Sequence, residues 1–171
     1  MQNKIDINID EQIINYVNER IENNNIDLVG KIKKVVKFVL SEEKINIEKV
    51  SICISKEDES GIRKLNKEYR NIDKSTDVLS FPIFERYELE EIIKQKDENK
   101  IIKELELGDI ILCMEIVEKQ SKEYSTGLYR ETLYMITHGV CHLVGYDHIE
   151  PSDKKIMRAL EKKALSVIGV E

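Results

Sequence analysis

The run Thr137-His138-Gly139-Val140-Cys141-His142-Leu143-Val144-Gly145-Tyr146-Asp147-His148 holds all three histidines of the 171-residue chain. His138 and His142 are four residues apart, which on a helix puts their Cβ atoms on one face, about 5–6 Å from each other. Two imidazoles at that separation can bind one small cation. Gly145 is placed to end the helix, because glycine takes the left-handed conformation without a Cβ clash. The reversed chain can then bring His148 to the same point. Three neutral imidazoles with a fourth position open describe a catalytic zinc site, whereas a structural site is closed by a fourth protein ligand. The competing reading is one core histidine and two surface ones. It is the weaker, since no histidine lies elsewhere and a glycine stands where the turn is needed.

Composition bounds the rest. The length suits one catalytic domain over 1–171 with a substantial core. A hydrophobic share of 41% beside 35% charged residues is that of a globular protein. The first ten residues carry no basic apolar leader, and no apolar run approaches the ~20 residues that span a bilayer. A cytoplasmic location and no membrane partner are expected. Cys53, Cys113 and Cys141 are odd in number and far apart, which argues for small buried hydrophobes rather than disulfides. A net charge of −6 opposes non-specific binding to nucleic acid, DNA included, but leaves room for a local basic cleft.

Along the chain, Lys4 to Ile9 alternates as a strand, and Asp10 caps a short helix bearing Ile13, Ile14, Val17 and Ile21. Asn23-Asn24-Asn25 breaks it, and Asp27 to Leu40 keeps helical spacing. Val50 to Ile54 is a second strand, and Lys56 to Tyr69 a helix with Ile62, Leu65 and Tyr69 on one side. Its other side carries Arg63, Lys64 and Lys67, and Arg70 and Lys74 follow, the most basic run of an acidic chain. Taken alone, that run is a solvated face. Asp77 to Phe81 is a third strand stopped by Pro82. Residues 84–106 are charge-dense and read as a solvated, partly helical insertion. Leu107 to Cys113 is a fourth strand, Met114 to Tyr124 a helix, and Leu128 to Val144 the helix that carries the histidines. A last helix starts near Ser152 and buries Ile156, Met157, Leu160 and Leu165. The pattern predicts an α+β fold: a mixed four-stranded sheet packed with helices, its metal site on a late helix and the following turn.

The spacing His138-x-x-x-His142-x-x-Gly145-x-x-His148 is that of the metzincin zinc proteases, with one difference. Those enzymes place a glutamate, the general base, directly after the first histidine, and here that position is Gly139. The cage is kept and the peptidase base is missing. A cation on three neutral ligands keeps its charge, can acidify water to a pKa near 7 and can polarise a phosphoryl oxygen. Arginine's planar fork suits phosphate, and Arg70 is the nearest such group, flanked by Lys67 and Lys74. Asp147 abuts His148, where it either orients a ligand imidazole from behind or forms the turn. Cys141 is read as packing.

The stretch from His138 to His148 resembles the signature of the bacterial YbeY family of metal-dependent endoribonucleases. Leu65 to Pro82, with Asn66-Lys67-Glu68-Tyr69-Arg70 and Ser75-Thr76-Asp77-Val78-Leu79-Ser80-Phe81, is similar to a second block of that family. Leu107-Gly108-Asp109-Ile110 with Glu115 onward resembles a third, and Met157 to Glu161 its C-terminal helix. The likeness covers about Val50 to the end. It implies a zincin-like fold and one zinc ion per chain held by His138, His142 and His148. It further implies Arg70 and His138 among the catalytic residues, and single-strand cleavage in ribosomal RNA processing. The 3′-end maturation of small-subunit rRNA, ribosome quality control, and the ribosome or small-subunit proteins as partners come with it. Two departures stand out: Cys141 where the family usually has leucine, and the long insertion. Two other functions compete, a zincin-type metallopeptidase, opposed by Gly139, and a non-catalytic ribosome-assembly module with a structural metal.

Overall fold

The computed structural model describes residues 4–21, 26–45, 47–97 and 103–170. Period-two alternation builds β1 (Lys4–Ile9) and β2 (Lys49–Lys56), which pair in parallel; in β2, Val50, Ile52 and Ile54 point inward. Between them lie α1 (Glu11–Asn18) and α2 (Leu28–Glu42). Asp10 and Asp27 cap these helices as N-cap aspartates do, accepting from Gln12 N–H at 2.9 Å and Gly30 N–H at 2.8 Å. The asparagine break after Ile21 lies outside the described residues.

α3 (Glu59–Arg70) starts on the Asp58 cap and stops where Asn71 turns left-handed, at φ +58°. β3 (Val78–Pro82) follows, then α4 (Arg86–Asp97), β4 (Glu104–Leu112), α5 (Met114–Glu123), α6 (Leu128–Leu143) and α7 (Pro151–Val167). The sheet order is β1-β2-β4-β3, with β3 antiparallel on the edge. The expected mixed α+β sheet with the histidines on a late helix is therefore what forms.

Ile32, Val36, Leu40, Ile54, Leu107, Ile110, Leu133 and Ile136 meet in one apolar core on one face of the sheet. Each such side chain, fully buried, contributes about 1.5–3 kcal/mol of transfer free energy. A smaller cluster of Ile62, Leu79 and Cys113 joins α3 to the sheet. The core thus clamps α6 against β4, and that contact positions the site.

Some expectations fail in detail. Ile156 is 56% exposed, because the buried stripe of α7 runs Met157, Leu160, Glu161, Ala164, Leu165 and Ile156 stands about 100° round from Met157. Cys53 is only half-buried, since it alternates to the outer side of β2, within 3.8 Å of the Asn8 amide. Tyr69 is 62% exposed, its ring edge-on to Phe81. The insertion is shorter than it reads: β4 starts at Glu104, and Leu89 of α4 is buried at 2% exposure. Its residues 98–102 lie outside the described residues.

β4 carries one extra residue against β2, since Ser51 faces Glu106 while Ile52 faces Gly108. Gly108 has φ +133°, and a Cβ there would lie 2.1 Å from the Phe81 carbonyl oxygen. Gly108→Ala is expected to cost at least about 2 kcal/mol, read as a lower urea midpoint at unchanged slope. An unchanged midpoint would show that this bulge does not need glycine.

Candidate metal centre

α6 is buried on most sides, and its composition makes that possible. Thr132 and Thr137 are fully buried, yet their hydroxyls donate to the carbonyls of Leu128 (2.8 Å) and Leu133 (2.7 Å) one turn back. Gly139 faces β4: a Cβ there would lie 2.9 Å from Ile110 Cδ1 and 3.0 Å from its Cγ2. A glutamate at this position would have to displace Ile110 of β4.

His138 and His142 lie one turn apart on the adjoining face, about 100° and 60° round the helix from Gly139. Gly145, at φ +89°, reverses the chain, with its N–H bonded to the His142 carbonyl (2.9 Å) and that of Tyr146 to the Cys141 carbonyl (3.0 Å). His148 returns to lie 5.3 Å from His138 and 5.0 Å from His142 between ring centroids. One ligand nitrogen from each histidine lies within 4.8 Å of the other two.

The proton positions follow from the partners. His142 Nδ1 donates to the Tyr146 carbonyl at 2.8 Å, which can only accept. His138 Nδ1 donates to Glu161 Oε1 at 2.7 Å, a carboxylate that is 4% exposed. Both Nε2 atoms therefore turn lone pairs toward each other, 3.1 Å apart. Two bare acceptors repel at that distance unless a cation lies between them. Ligands at about 2.0–2.1 Å in tetrahedral array stand about 3.3 Å apart, so the spacing fits zinc. Burial, and then the neighbouring His138, push the His142 imidazole down to about 4, which keeps it neutral and able to ligate near pH 7.

The turn is clamped from outside. Arg86, at the start of α4, donates to the Val144 carbonyl at 3.1 Å and ion-pairs with Glu43, whose side chain is 7% exposed. Glu43 also accepts from the Tyr146 hydroxyl, which burial and then Glu43 push up to about 12. A Cβ on Gly145 would meet Arg86 Cβ at 2.9 Å. The residue whose carbonyl holds His142 is thus itself held by α2 and α4.

The structure brings the three histidines together. Asp147 accepts from the backbone N–H of His148 at 2.7 Å, the geometry of a turn. Cys141 is fully buried, and burial pushes its thiol far up, which suits packing. Arg70 is exposed at the end of α3, with no ion pair of its own among the described residues. Lys67 pairs with Asp73 at 3.1 Å, as does Arg63 at 2.7 Å; together, Arg63 leading, they hold the Asp73 carboxyl below its usual range. Lys74 is exposed, and its carbonyl accepts from Asn66. A pocket of about 190 Å³ opens beside the site, lined by Tyr134, His138, His148, Lys154, Met157, Arg158 and Glu161; Arg70 does not line it. Glu161, Glu43 and Arg86 escaped the sequence reading. The one signal for Glu161 was a carboxylate sitting on the apolar stripe of α7.

The family model described as endoribonuclease YbeY matches residues 13–169. A protein of that name from Clostridium botulinum (strain Kyoto / Type A2) is 44% identical over 156 residues, covering 87% of this chain and 89% of the relative. Another, from Caldicellulosiruptor bescii, is 40% identical over 172 residues, covering 99% and 94%. Among solved structures, the solution structure of TM1509 from Thermotoga maritima superposes with a TM-score of 0.52 at 24% identity, covering 97% of this chain and 88% of that one; it speaks for the fold.

Carboxylates and clamps behind histidine ligands typically contribute 10–100-fold in metal affinity. Glu161→Ala is expected to weaken zinc binding by that factor, and Arg86→Ala by a smaller one, in competition with a chromophoric chelator. Wild-type affinity in both would show that neither contact orients a ligand. In EDTA the chain should lose stability as pH falls from about 6.5 to about 4. Over that window the unfolded His142 binds a proton that the folded one refuses. A flat thermal midpoint across it would contradict the assignment.

Proposed function

The chain belongs to the endoribonuclease YbeY family, and from that premise we propose that it is a zinc-dependent, single-strand-specific endoribonuclease of ribosomal RNA processing. In this reading it matures the 3′ end of small-subunit rRNA and serves ribosome quality control, in the cytoplasm. Its substrate is precursor rRNA, with the ribosome or small-subunit proteins as partners. The observation that carries the reading is the convergence of three imidazoles beside an open pocket, with the Nδ1 atoms of His138 and His142 already engaged.

His138, His142 and His148 would hold the ion. Such a cation supplies positive charge that polarises a phosphoryl oxygen and acidifies water. The residues of the chain do the rest. Glu161 and the Tyr146 carbonyl keep the imidazoles of His138 and His142 in the tautomer that presents Nε2. Arg70, with no competing ion pair among the described residues, offers its fork to a phosphate, and Lys67 and Lys74 add charge beside it. Asp147 fixes the backbone at His148 and so the direction from which that ring approaches.

Two observations favour this over the alternatives. A zincin-type peptidase would lack its base here, since Gly139 has no side chain and a Cβ at that position would press on Ile110. Against a structural metal, the histidine group has three members among the described residues, and the third, His148, is exposed.

Purified protein with precursor small-subunit rRNA tests the proposal. Cleavage is expected to vanish with a chelator or with His142→Ala, and to fall by about a hundredfold or more with Arg70→Ala. Cleavage that survives chelation and both substitutions overturns it; loss with His142→Ala alone removes Arg70 from catalysis.

A further inference from the structure

A second cavity, a groove of about 920 Å³ between α5, α6 and α7, adjoins the metal-site pocket; the two share Tyr134, Arg158 and Glu161 as a wall. Nothing in the reaction proposed above uses it. Along its α7 rim and on into the pocket run Lys154, Arg158 and Lys162, spaced four residues apart. On a helix these cations form one stripe with about 6 Å between successive members. All three are exposed, and among the described residues none is engaged in an ion pair, unlike Lys163 beside them, which faces Glu42 at 3.5 Å.

The carboxylates of the groove are turned away. Glu131 is 3% exposed and accepts from the Thr126 hydroxyl at 2.7 Å. Asp77 accepts from the Val78 N–H (2.8 Å), the Thr76 hydroxyl (3.0 Å) and the Gln120 amide (2.9 Å). Glu161 is occupied by His138. The groove therefore presents positive charge outward although its formal charges nearly balance. Two aromatic rings complete it: Tyr134, 6.3 Å from the His138 ring, and Tyr124, 63% exposed at the end of α5. Cations tracking a backbone beside aromatic faces on which bases stack are what a single strand needs, without any reading of its sequence.

We infer that this groove is the channel for the RNA strand flanking the cut, with Lys154, Arg158 and Lys162 on its phosphates and Tyr134 and Tyr124 against its bases. The inference rests on the ribonuclease reading and adds the path of the substrate away from the histidines. It also explains how a chain of net charge −6 can hold RNA: the cations are concentrated where the strand must lie.

The test is fluorescence anisotropy with a fluorescein-labelled oligouridylate, in EDTA so that the strand stays intact and again with zinc. The triple variant Lys154→Gln, Arg158→Gln, Lys162→Gln is expected to bind at least about tenfold more weakly. The slope of log affinity against log salt should fall by about 2, at about 0.7 per cation lost on a single strand. A matched variant, Lys33→Gln, Lys34→Gln, Lys37→Gln on the exposed side of α2, is expected to bind as wild type does. Equal affinity and slope in the first variant, or equal losses in both, overturn the channel. If the wild type cleaves precursor rRNA while the first variant binds and cleaves like it, the channel alone fails. If the wild type neither binds nor cleaves RNA, the ribonuclease reading fails with it.

Discussion

Everything at the metal centre depends on a single backbone reversal. Helix α6 can present two imidazoles on its own; the third arrives because Gly145 takes a left-handed φ that any side chain would resist. The same turn brings the Tyr146 carbonyl under His142 Nδ1, so the reversal both delivers the third imidazole and sets the tautomer of His142. The packing around it leaves no slack: Arg86 fills the space where a Cβ would go and donates to the carbonyl of Val144, which caps the helix. Where the cage sits, and which atoms point into it, follow from that one conformation.

What was legible in the sequence was local. The cap at Asp10, the alternation of β2, the four-residue step from His138 to His142 and the stop at Gly145 involve neighbours a few residues apart, and each forms as read. What was illegible was long-range. Glu161 lies 23 residues from the histidine it orients, and Arg86 lies 58 residues from the carbonyl it caps. No periodicity encodes such pairs; they exist because α7 and α4 pack where they do. Ile156 shows the same limit from the other side: it is apolar and near a buried stripe, yet one step of helix phase leaves it in water.

The insertion gains a structural meaning that its composition hid. Its charges suggest a solvated excursion, but Arg86 and the buried Leu89 tie the first turns of α4 to the site turn and to the core. Farther along, Lys94 pairs with Glu91 of its own helix. The segment is thus tied down at both ends, since Leu105 of β4 is buried and pairs with Val50.

The main apolar core contains none of the histidines; they stand at its border, on a helix that Ile136, Val140 and Leu143 already anchor. The conformational entropy of gathering the ligands is therefore met by the packing of the fold, in contrast to small zinc domains that stay unfolded until metal arrives. An ion held by the three histidines would add stability by mass action, about 2.7 kcal/mol at a hundredfold excess over its Kd, to a fold already packed without it. Loss of such an ion would then leave a folded molecule that can be reloaded.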